Sequence, residues 1–187
     1  MTDSEVTQAK TALRSKIRAA RKSKQEGHFC EDEHDEHLVM FLADQNVRKI
    51  AAYIALDDEP CTDLLLDVCE QVGIQVLVPR VVEDDLEWAI FNWDELAEGE
   101  YGILEPIGPA EPLQVDAVLV PALAVDAAGN RLGKGRGFYD RALAELDSRV
   151  PIIALVHDEE VFEEIPHETH DLKVDYVACC TGVHKLD

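Results

Sequence analysis

A glycine-rich loop with regularly placed cations is the segment of this sequence best suited to chemistry. Its glycines and basic residues alternate, and they are Gly129, Gly133, Gly135, Gly137, Arg131, Lys134 and Arg136. Glycines let a backbone approach a ligand closely and direct N–H groups at an anion, while Lys and Arg neutralise phosphate charge. A helix expected over 138–146 would add a favourable dipole at its N-terminus. The loop therefore predicts a phosphate-binding site.

The spacing of the loop excludes two standard phosphate motifs. A Walker A loop needs one more residue between Gly129 and Gly133, and it needs Ser or Thr where Gly135 stands. The dinucleotide fingerprint is also absent, because the glycines follow the order G-x-G-x-G. Spacing alone leaves open a structural interpretation, in which the segment is a glycine-rich turn with incidental charges.

The basic residues of the chain are concentrated in two stretches. Of 17 Lys and Arg residues, seven lie within 10–24, where no acid occurs, and four lie within 131–141. In a chain with a net charge of −22, this distribution favours a polyanionic small ligand such as a nucleotide. The alternative for the first stretch is a solvated helix face.

Bulk composition limits the class of protein. The chain has 187 residues and is 47% hydrophobic, which predicts a single domain over 1–187 with one core. Its longest apolar run, 117–125, contains Pro121 and is too short to cross a membrane. The sequence begins without secretory signal features, and five irregularly spaced cysteines do not resemble a disulfide framework. We expect a cytoplasmic monomer with reduced cysteines.

The acidic charge also limits the partners. A net charge of −22 repels nucleic acids and anionic membranes at long range, so we expect neither as a partner. A nucleic-acid-binding role for the first helix is the weakest alternative. The histidines and cysteine at His28, Cys30, His34 and His37 have zinc-ligand chemistry. Their acidic neighbours favour a solvated helix start instead.

Hydrophobic periodicity predicts alternating strands and helices. Helices are expected over 7–24, 32–43 and 62–72, with Thr62 as an N-cap, and strands over 49–56, 74–79, 86–91, 117–121, 151–156 and 176–180. The turn-rich segment 92–112 is expected to be an irregular surface loop. Several strands are apolar throughout, which indicates an α/β fold with three α/β/α layers and a mainly parallel central sheet.

The run from Arg131 to Asp140, preceded by Pro121 and by Val125 and Asp126, resembles the signature of the 5-formyltetrahydrofolate cyclo-ligase family, also called 5,10-methenyltetrahydrofolate synthetases. Further matching segments occur in the family's order over nearly the whole chain, and they are Lys10 with Arg14, Tyr53 with Asp58 and Glu59, Pro79 with Arg80, 101–106, and 170–175. The stretch 27–37 shows no family feature. The resemblance implies the family's α/β fold and its activity.

The implied reaction uses ATP to convert 5-formyltetrahydrofolate to 5,10-methenyltetrahydrofolate, with release of ADP and phosphate. In the family's proposed mechanism the formyl oxygen attacks the γ-phosphate, N10 of the folate closes on the activated carbon, and phosphate leaves last. Two anionic reactants must be held together, so positioning and electrostatics should supply most of the rate. The implied cofactors are ATP and Mg²⁺, and the implied partner is this small-molecule substrate.

The resemblance also implies roles for individual residues. ATP would be bound by Lys10, Arg14, Arg131, Leu132, Gly133, Lys134, Gly135, Arg136, Gly137, Phe138 and Tyr139. The folate substrate would be bound by Ile54, Glu59, Tyr101, Lys134, Arg136 and Phe138. Lys134 and Arg136 would stabilise the transferring phosphoryl group, and Asp140 and Asp171 would hold Mg²⁺ through hard carboxylate oxygens. Phe138 departs from the tyrosine that is frequent in the family, which removes a hydroxyl and keeps the aromatic face.

Two other classes of function remain as alternatives. The fold of the family resembles that of sugar-phosphate isomerases and CoA-transferases, and fold does not fix chemistry. A folate- or nucleotide-binding module without turnover would bind both ligands and release no phosphate. The paired basic segments together with Asp140 and Asp171 favour ATP and Mg²⁺.

Overall fold

A seven-stranded β-sheet organises the chain in the computed structural model, which describes residues 2–24, 33–99, 102–144 and 146–187. The helices of this part of the chain are α1 (Asp3–Lys24), α2 (Glu33–Asp44), α3 (Asp63–Val72) and α4 (Phe138–Ala142). The strands are β1 (Lys49–Ala51), β2 (Gln75–Val82), β3 (Asp85–Ile90), β4 (Leu96–Glu98), β5 (Leu104–Pro106), β6 (Ala117–Pro121), β7 (Ala124–Asp126), β8 (Arg131–Leu132), β9 (Ile152–Leu155), β10 (Val161–Phe162), β11 (Tyr176–Cys179) and β12 (Gly182–Lys185).

The central sheet has the strand order β12-β11-β9-β6-β1-β2-β3. Its five inner strands pair in parallel, and the two edge strands β3 and β12 pair antiparallel with their neighbours. The middle strand β6 begins with four fully buried residues, as expected for a parallel strand covered on both faces. The predicted α/β fold with a mainly parallel central sheet is therefore confirmed.

Helices cover the two faces of the sheet unequally. On one face, Leu38 and Leu42 of α2 and Leu66 of α3 pack with sheet residues such as Ile50 and Leu119. On the other face, Leu143 after the short helix α4 packs with residues that alternate with these along the strands. Because α4 is short, much of this second face is covered by loops.

The longest helix, α1, packs away from the central sheet. Ile17 of α1 lies with Leu123, Leu132 and Ile165 in a separate buried cluster. This cluster includes residues of a small three-stranded sheet with the order β10-β7-β8. Since β8 leads directly into the glycine-rich loop, this packing places α1 beside that loop.

The predicted strand over 49–56 was too long. β1 ends at Ala51, and the chain then turns away from the sheet. The Thr62 hydroxyl stabilises this turn, because it donates to the Tyr53 carbonyl oxygen (2.8 Å) and accepts from the Ala55 N–H (3.1 Å). Thr62 occupies the predicted N-cap position of α3, but its side chain makes no capping bond to the helix.

The other differences between the predicted and the observed elements involve short helices and strands. The segment 92–112, expected to be irregular, contains the β4–β5 hairpin and a 3₁₀ turn at Trp93–Glu95. The helix expected over 138–146 ends at Ala142, and β12 extends the sheet beyond the last predicted strand. Strands of two to four residues are too short to show periodicity in a sequence.

Two further observations bear on the class of protein. Within the described ranges, no helix is both long enough and apolar enough to cross a membrane. Cys61, Cys69 and Cys179 are free thiols. His28 and Cys30 of the possible zinc cluster lie outside the described residues.

Replacement of Thr62 by Val should destabilise the fold by about 1–3 kcal/mol, because it leaves the buried Tyr53 carbonyl and the partly buried Ala55 N–H without this partner. Thr62→Ser, which keeps the hydroxyl, is the matched control and should cost less. Urea denaturation measures both changes. Equal stability of the Val variant and the wild type would contradict the role given to this hydroxyl.

Candidate active site

A row of cations on α1 forms one wall of the site. Lys10, Arg14, Arg18 and Arg21 follow one another at intervals of four, four and three residues. Residues at this spacing share one face of a helix. Leu13 and Ile17, on a neighbouring stripe, pack against the small sheet and fix the rotation of the helix. The cations are therefore directed at the loops that follow the strands.

Two of these cations bind the glycine-rich loop. The Arg14 Nε donates to the Gly133 carbonyl oxygen (2.9 Å), and an Arg18 Nη2 donates to the Lys134 carbonyl oxygen (3.0 Å). Gly135 has a φ of +104°, and a Cβ at this position would lie 3.4 Å from the Arg14 guanidinium. Both the positive φ and the close approach favour glycine there.

Lys134 of the loop pairs with two carboxylates that follow β1. Its Nζ lies 3.0 Å from an oxygen of Asp58 and 3.0 Å from an oxygen of Glu59. The Glu59 side chain is only 6% exposed, and its other oxygen accepts the Leu56 N–H (3.0 Å). The carboxylate of Glu59 is thus nearly buried and is neutralised in part by a lysine of the predicted phosphate loop.

A cavity of about 410 Å³ opens beside these carboxylates. It is lined by residues 54–58 and 102–104, which include Ile54 and Asp58. The wall is apolar on the side of Ile54, Ile103 and Leu104, and acidic at Asp57 and Asp58. Ile54 therefore lines the cavity, and Glu59 directly follows the lining residue Asp58 in the chain. Tyr101, the third predicted pocket residue, lies outside the described residues.

Lys10 binds an acidic corner at the other end of the site. Its Nζ lies 2.6 Å from Glu168 and 2.6 Å from Asp171, and the lysine is 5% exposed. Burial acts to raise the pKa of Asp171. The hydrogen bonds from Lys10 and from the Glu168 N–H outweigh burial, so the pKa lies below its usual value. The Asp171 carboxylate is thereby kept ionised.

Asp140 lies next to this acidic corner. One of its oxygens accepts the N–H of Leu172 (2.8 Å), the residue that follows Asp171. Both of its oxygens also lie 3.3 Å from a guanidinium nitrogen of Arg131. Ligand atoms of Glu168, His170 and Asp171 lie within 4.8 Å of one another. Carboxylate oxygens of this kind fit Mg²⁺, which prefers hard oxygen ligands.

The side chains of Arg131 and Leu132 face the protein interior. Arg131 donates to the Pro121 carbonyl oxygen (3.0 Å), lies 5.9 Å from the centre of the Tyr139 ring, and is 7% exposed. Leu132 is 1% exposed. A triphosphate near these residues would therefore meet their main chain, while the side chain of Arg136 is exposed.

Sequence reasoning missed three side chains that complete this arrangement, namely Arg18, Asp58 and Glu168. Arg18 lies one helical turn beyond Arg14, so its helical spacing was a usable signal. The family resemblance includes Asp58 beside Glu59 but implies no role for Asp58. Glu168 had no signal in the sequence, because its contact with Lys10 joins residues far apart in the chain.

The profile of the 5-formyltetrahydrofolate cyclo-ligase family matches residues 6–180. The chain belongs to this family. It is 39% identical over 140 residues to the 5-formyltetrahydrofolate cyclo-ligase of Mycolicibacterium smegmatis, covering 70% of this chain and 72% of that protein. It is 27% identical to the Haemophilus influenzae cyclo-ligase, covering 89% and 95% of the two chains.

A solved structure supports the same assignment. The NMR structure of Aquifex aeolicus 5,10-methenyltetrahydrofolate synthetase superposes with a TM-score of 0.82 at 26% identity. The alignment covers 95% of this chain and 92% of that chain. The family predicted from the glycine-rich motif is therefore confirmed, and the cyclo-ligase fold extends over almost the whole molecule.

The lowered pKa of Asp171 predicts a pH-dependent contribution of Lys10 to stability. A carboxyl group with a lowered folded pKa stabilises the protein above its unfolded value of about 3.9, and this stability is lost as the pH falls through the folded pKa. The wild type should therefore exceed Lys10→Met in free energy of unfolding at neutral pH, and this difference should shrink below about pH 4.

Urea denaturation from about pH 7 to about pH 3 measures this difference. Lys16→Met is the matched control, because Lys16 is exposed on the same helix. A difference for Lys10→Met that stays constant over the whole range would contradict the assignment of the pKa shift to this ion pair.

Proposed function

We propose that the protein uses Mg²⁺ and ATP to close 5-formyltetrahydrofolate to 5,10-methenyltetrahydrofolate, with release of ADP and phosphate. The supporting observation is the position of Lys134, which belongs to the glycine-rich loop and contacts Asp58 and Glu59 beside the cavity. One lysine thus joins a site suited to phosphates and a site suited to a ring system. A reaction between a nucleotide and a second anionic substrate needs such a junction.

The nucleotide side consists of the glycine-rich loop and α1. Lys10 and Arg14 supply positive charge from the helix, and the glycines give phosphates access to the main chain. Arg14 also holds the loop through the Gly133 carbonyl, so its guanidinium lies within reach of the same region. Lys134 and Arg136 are placed to stabilise charge that develops on the transferring phosphoryl group.

The folate side consists of the cavity, Ile54 and Glu59. A nearly buried carboxylate can accept two N–H bonds from an amino-pyrimidine edge, and such charge-assisted bonds are strong. Ile54 supplies apolar surface for the ring system. Tyr101 and Phe138 stay predicted contacts of the substrate.

Asp140 and Asp171 are the proposed ligands of Mg²⁺. Bound there, Mg²⁺ would neutralise charge on the phosphate oxygens. The protein holds both carboxylates by main-chain N–H groups, Asp140 by that of Leu172 and Asp171 by that of Glu168. These bonds orient the carboxylates before either binds an ion. Glu168 and His170 lie beside them and shape the same corner.

Ligand binding requires the site's cations to change partners. Lys134 pairs with Glu59 in the structure, but in the proposed function Lys134 binds a phosphate and Glu59 binds the pterin. When a phosphate draws Lys134 away, the nearly buried Glu59 carboxylate loses a counter-charge and gains affinity for N–H donors. Nucleotide and folate should therefore bind with positive coupling, and the coupling must be reciprocal. A cytoplasmic location and a monomeric state complete the proposal.

The proposed activity is tested by the absorbance of 5,10-methenyltetrahydrofolate formed from 5-formyltetrahydrofolate with Mg²⁺ and ATP. Product should form only when ATP is present, with phosphate released in equal amount. Nucleotide binding without product would instead indicate a binding module and would overturn the proposal.

Asp140→Asn and Asp171→Asn should each raise the Mg²⁺ concentration needed for half-maximal activity by about tenfold or more, because an amide is a weaker ligand for this ion than a carboxylate. Mg²⁺ titration of turnover measures the change. Asp116→Asn is the control, since the Asp116 carboxylate accepts the main-chain N–H groups of Arg48 and Lys49 at the amino end of β1. An unchanged Mg²⁺ requirement in both site variants would remove these residues from the metal role.

Glu59→Gln should raise the KM for 5-formyltetrahydrofolate by about tenfold or more, because it removes charge-assisted hydrogen bonds to the substrate. The KM for ATP should change less than the KM for folate, because Lys134 keeps Asp58 as a partner when Glu59 loses its charge. Initial rates with each substrate varied in turn separate the two constants. Glu111→Gln is the matched control, as Glu111 approaches Lys49 at 3.9 Å. A larger effect on ATP than on folate would contradict the folate role of Glu59.

A further inference from the structure

Arg21 is the most deeply buried cation of the row on α1. The Arg21 side chain is buried, and the residue is 3% exposed. Its Nε donates to one carboxylate oxygen of Glu160 (2.7 Å), and its Nη2 donates to the other (2.7 Å). This is a bidentate pair, the strongest and most directional arrangement of arginine and carboxylate. Glu160 is also 3% exposed. Neither residue belongs to the nucleotide, folate or metal sets proposed above.

The same guanidinium binds two main-chain carbonyls from different segments. Nη1 donates to the Asp58 carbonyl oxygen (3.0 Å), and Nη2 donates to the Ala122 carbonyl oxygen (2.8 Å). Ala122 directly follows β6, and Asp58 lies in the turn that carries the acidic wall of the cavity. Arg21 therefore joins α1, the end of β6 and the cavity turn.

Glu160 connects this group to a fourth segment. Its Oε2 accepts the His157 N–H (3.0 Å), and His157 lies two residues beyond the end of β9. Within the described residues, the Glu160 carboxylate thus accepts three hydrogen bonds, two of them from Arg21. The geometry leaves little freedom for either side chain, because the guanidinium is planar and its donors have fixed directions.

We infer that the Arg21–Glu160 pair is a positioning device for the folate side of the site. By holding the Asp58 carbonyl, Arg21 sets the turn from which the Asp58 and Glu59 carboxylates reach Lys134. This inference rests on the proposed function, because it assigns the pair a task in folate binding. Arg21 is not among the residues that line the cavity, and it reaches that wall through the main chain of Asp58, so it acts through the turn.

If the Arg21–Glu160 pair only stabilised the fold, its replacement would lower the melting temperature and leave the KM for folate unchanged. Buried ion pairs are weak contributors to stability, and apolar residues of similar size often replace them without loss. Such residues would anchor α1 but would not hold the Asp58 carbonyl. A lysine would keep the charge, but its single ammonium group lacks the fork that reaches Glu160 and two carbonyls together. Arg21→Lys therefore tests position rather than charge.

Arg21→Lys should raise the KM for 5-formyltetrahydrofolate by about fivefold or more, while the KM for ATP changes by less than about twofold. Titration calorimetry of 5-formyltetrahydrofolate without nucleotide should show the same weakening. Asp116→Ala is the control, because it removes two hydrogen bonds to main-chain N–H groups at the amino end of β1, away from the site. It should lower the melting temperature and leave both KM values unchanged.

Two results would overturn the inference. Arg21→Lys could lower only the melting temperature, as the control does, or it could raise both KM values equally. Inactivity of the wild type would instead reject the proposed function, so the two failures are distinguishable. If Arg21→Lys does not fold, Glu160→Asp takes its place, since the shorter carboxylate draws the guanidinium away from the Asp58 carbonyl. The same criteria then apply.

A double-mutant cycle with Glu59→Gln gives a second, independent readout. If Arg21 acts through the turn that carries Glu59, the variant with both changes should lose less folate affinity than the product of the single losses. Multiplicative losses would show that Arg21 does not act through Glu59, and they would overturn the inference.

Discussion

The pairing of one cationic helix face with the loops at the carboxyl ends of the strands is the interaction on which the site depends. Lys10 binds the corner at Glu168 and Asp171, and Arg14 binds the glycine-rich loop. Arg21 binds the cavity turn. In a chain with a net charge of −22, the row on α1 concentrates positive charge where anionic ligands must be held. Without α1, these loops would lose their common anchor.

Under the proposed function the site must hold two anionic substrates, and the ion pairs of its lysines suit that task. Lys10 and Lys134 are already paired with carboxylates, so the charge of each of these two lysines is compensated before a ligand binds. Phosphates can replace those carboxylates as partners of the lysines, and the released carboxylates then suit a metal ion or N–H donors. Binding therefore exchanges ion pairs rather than creating charge, which keeps the cost of desolvation low.

Local signals in the sequence predicted the loop, the basic helix and the parallel sheet. The glycines and cations of 129–137 lie close together in the chain, and the apolar run of β6 is nearly unbroken, so both could be read directly. The family resemblance supplied Glu59, Asp140 and Asp171, whose roles stay proposals. Glu160 could not be found in this way, since its pairing with Arg21 depends on the tertiary fold. Thr62 takes the predicted N-cap position, but its hydroxyl stabilises the preceding turn, because capping and turn stabilisation use the same residue types.

The exchange of partners at Lys134 is the central claim, and the affinity for 5-formyltetrahydrofolate with and without nucleotide tests it most directly. Titration calorimetry would be run on the wild type alone and then with saturating Mg²⁺ and a non-hydrolysable ATP analogue. The account predicts that the nucleotide tightens folate binding by about fivefold or more, within the usual range of coupling between sites. Equal affinities, or weaker binding with nucleotide present, would contradict it.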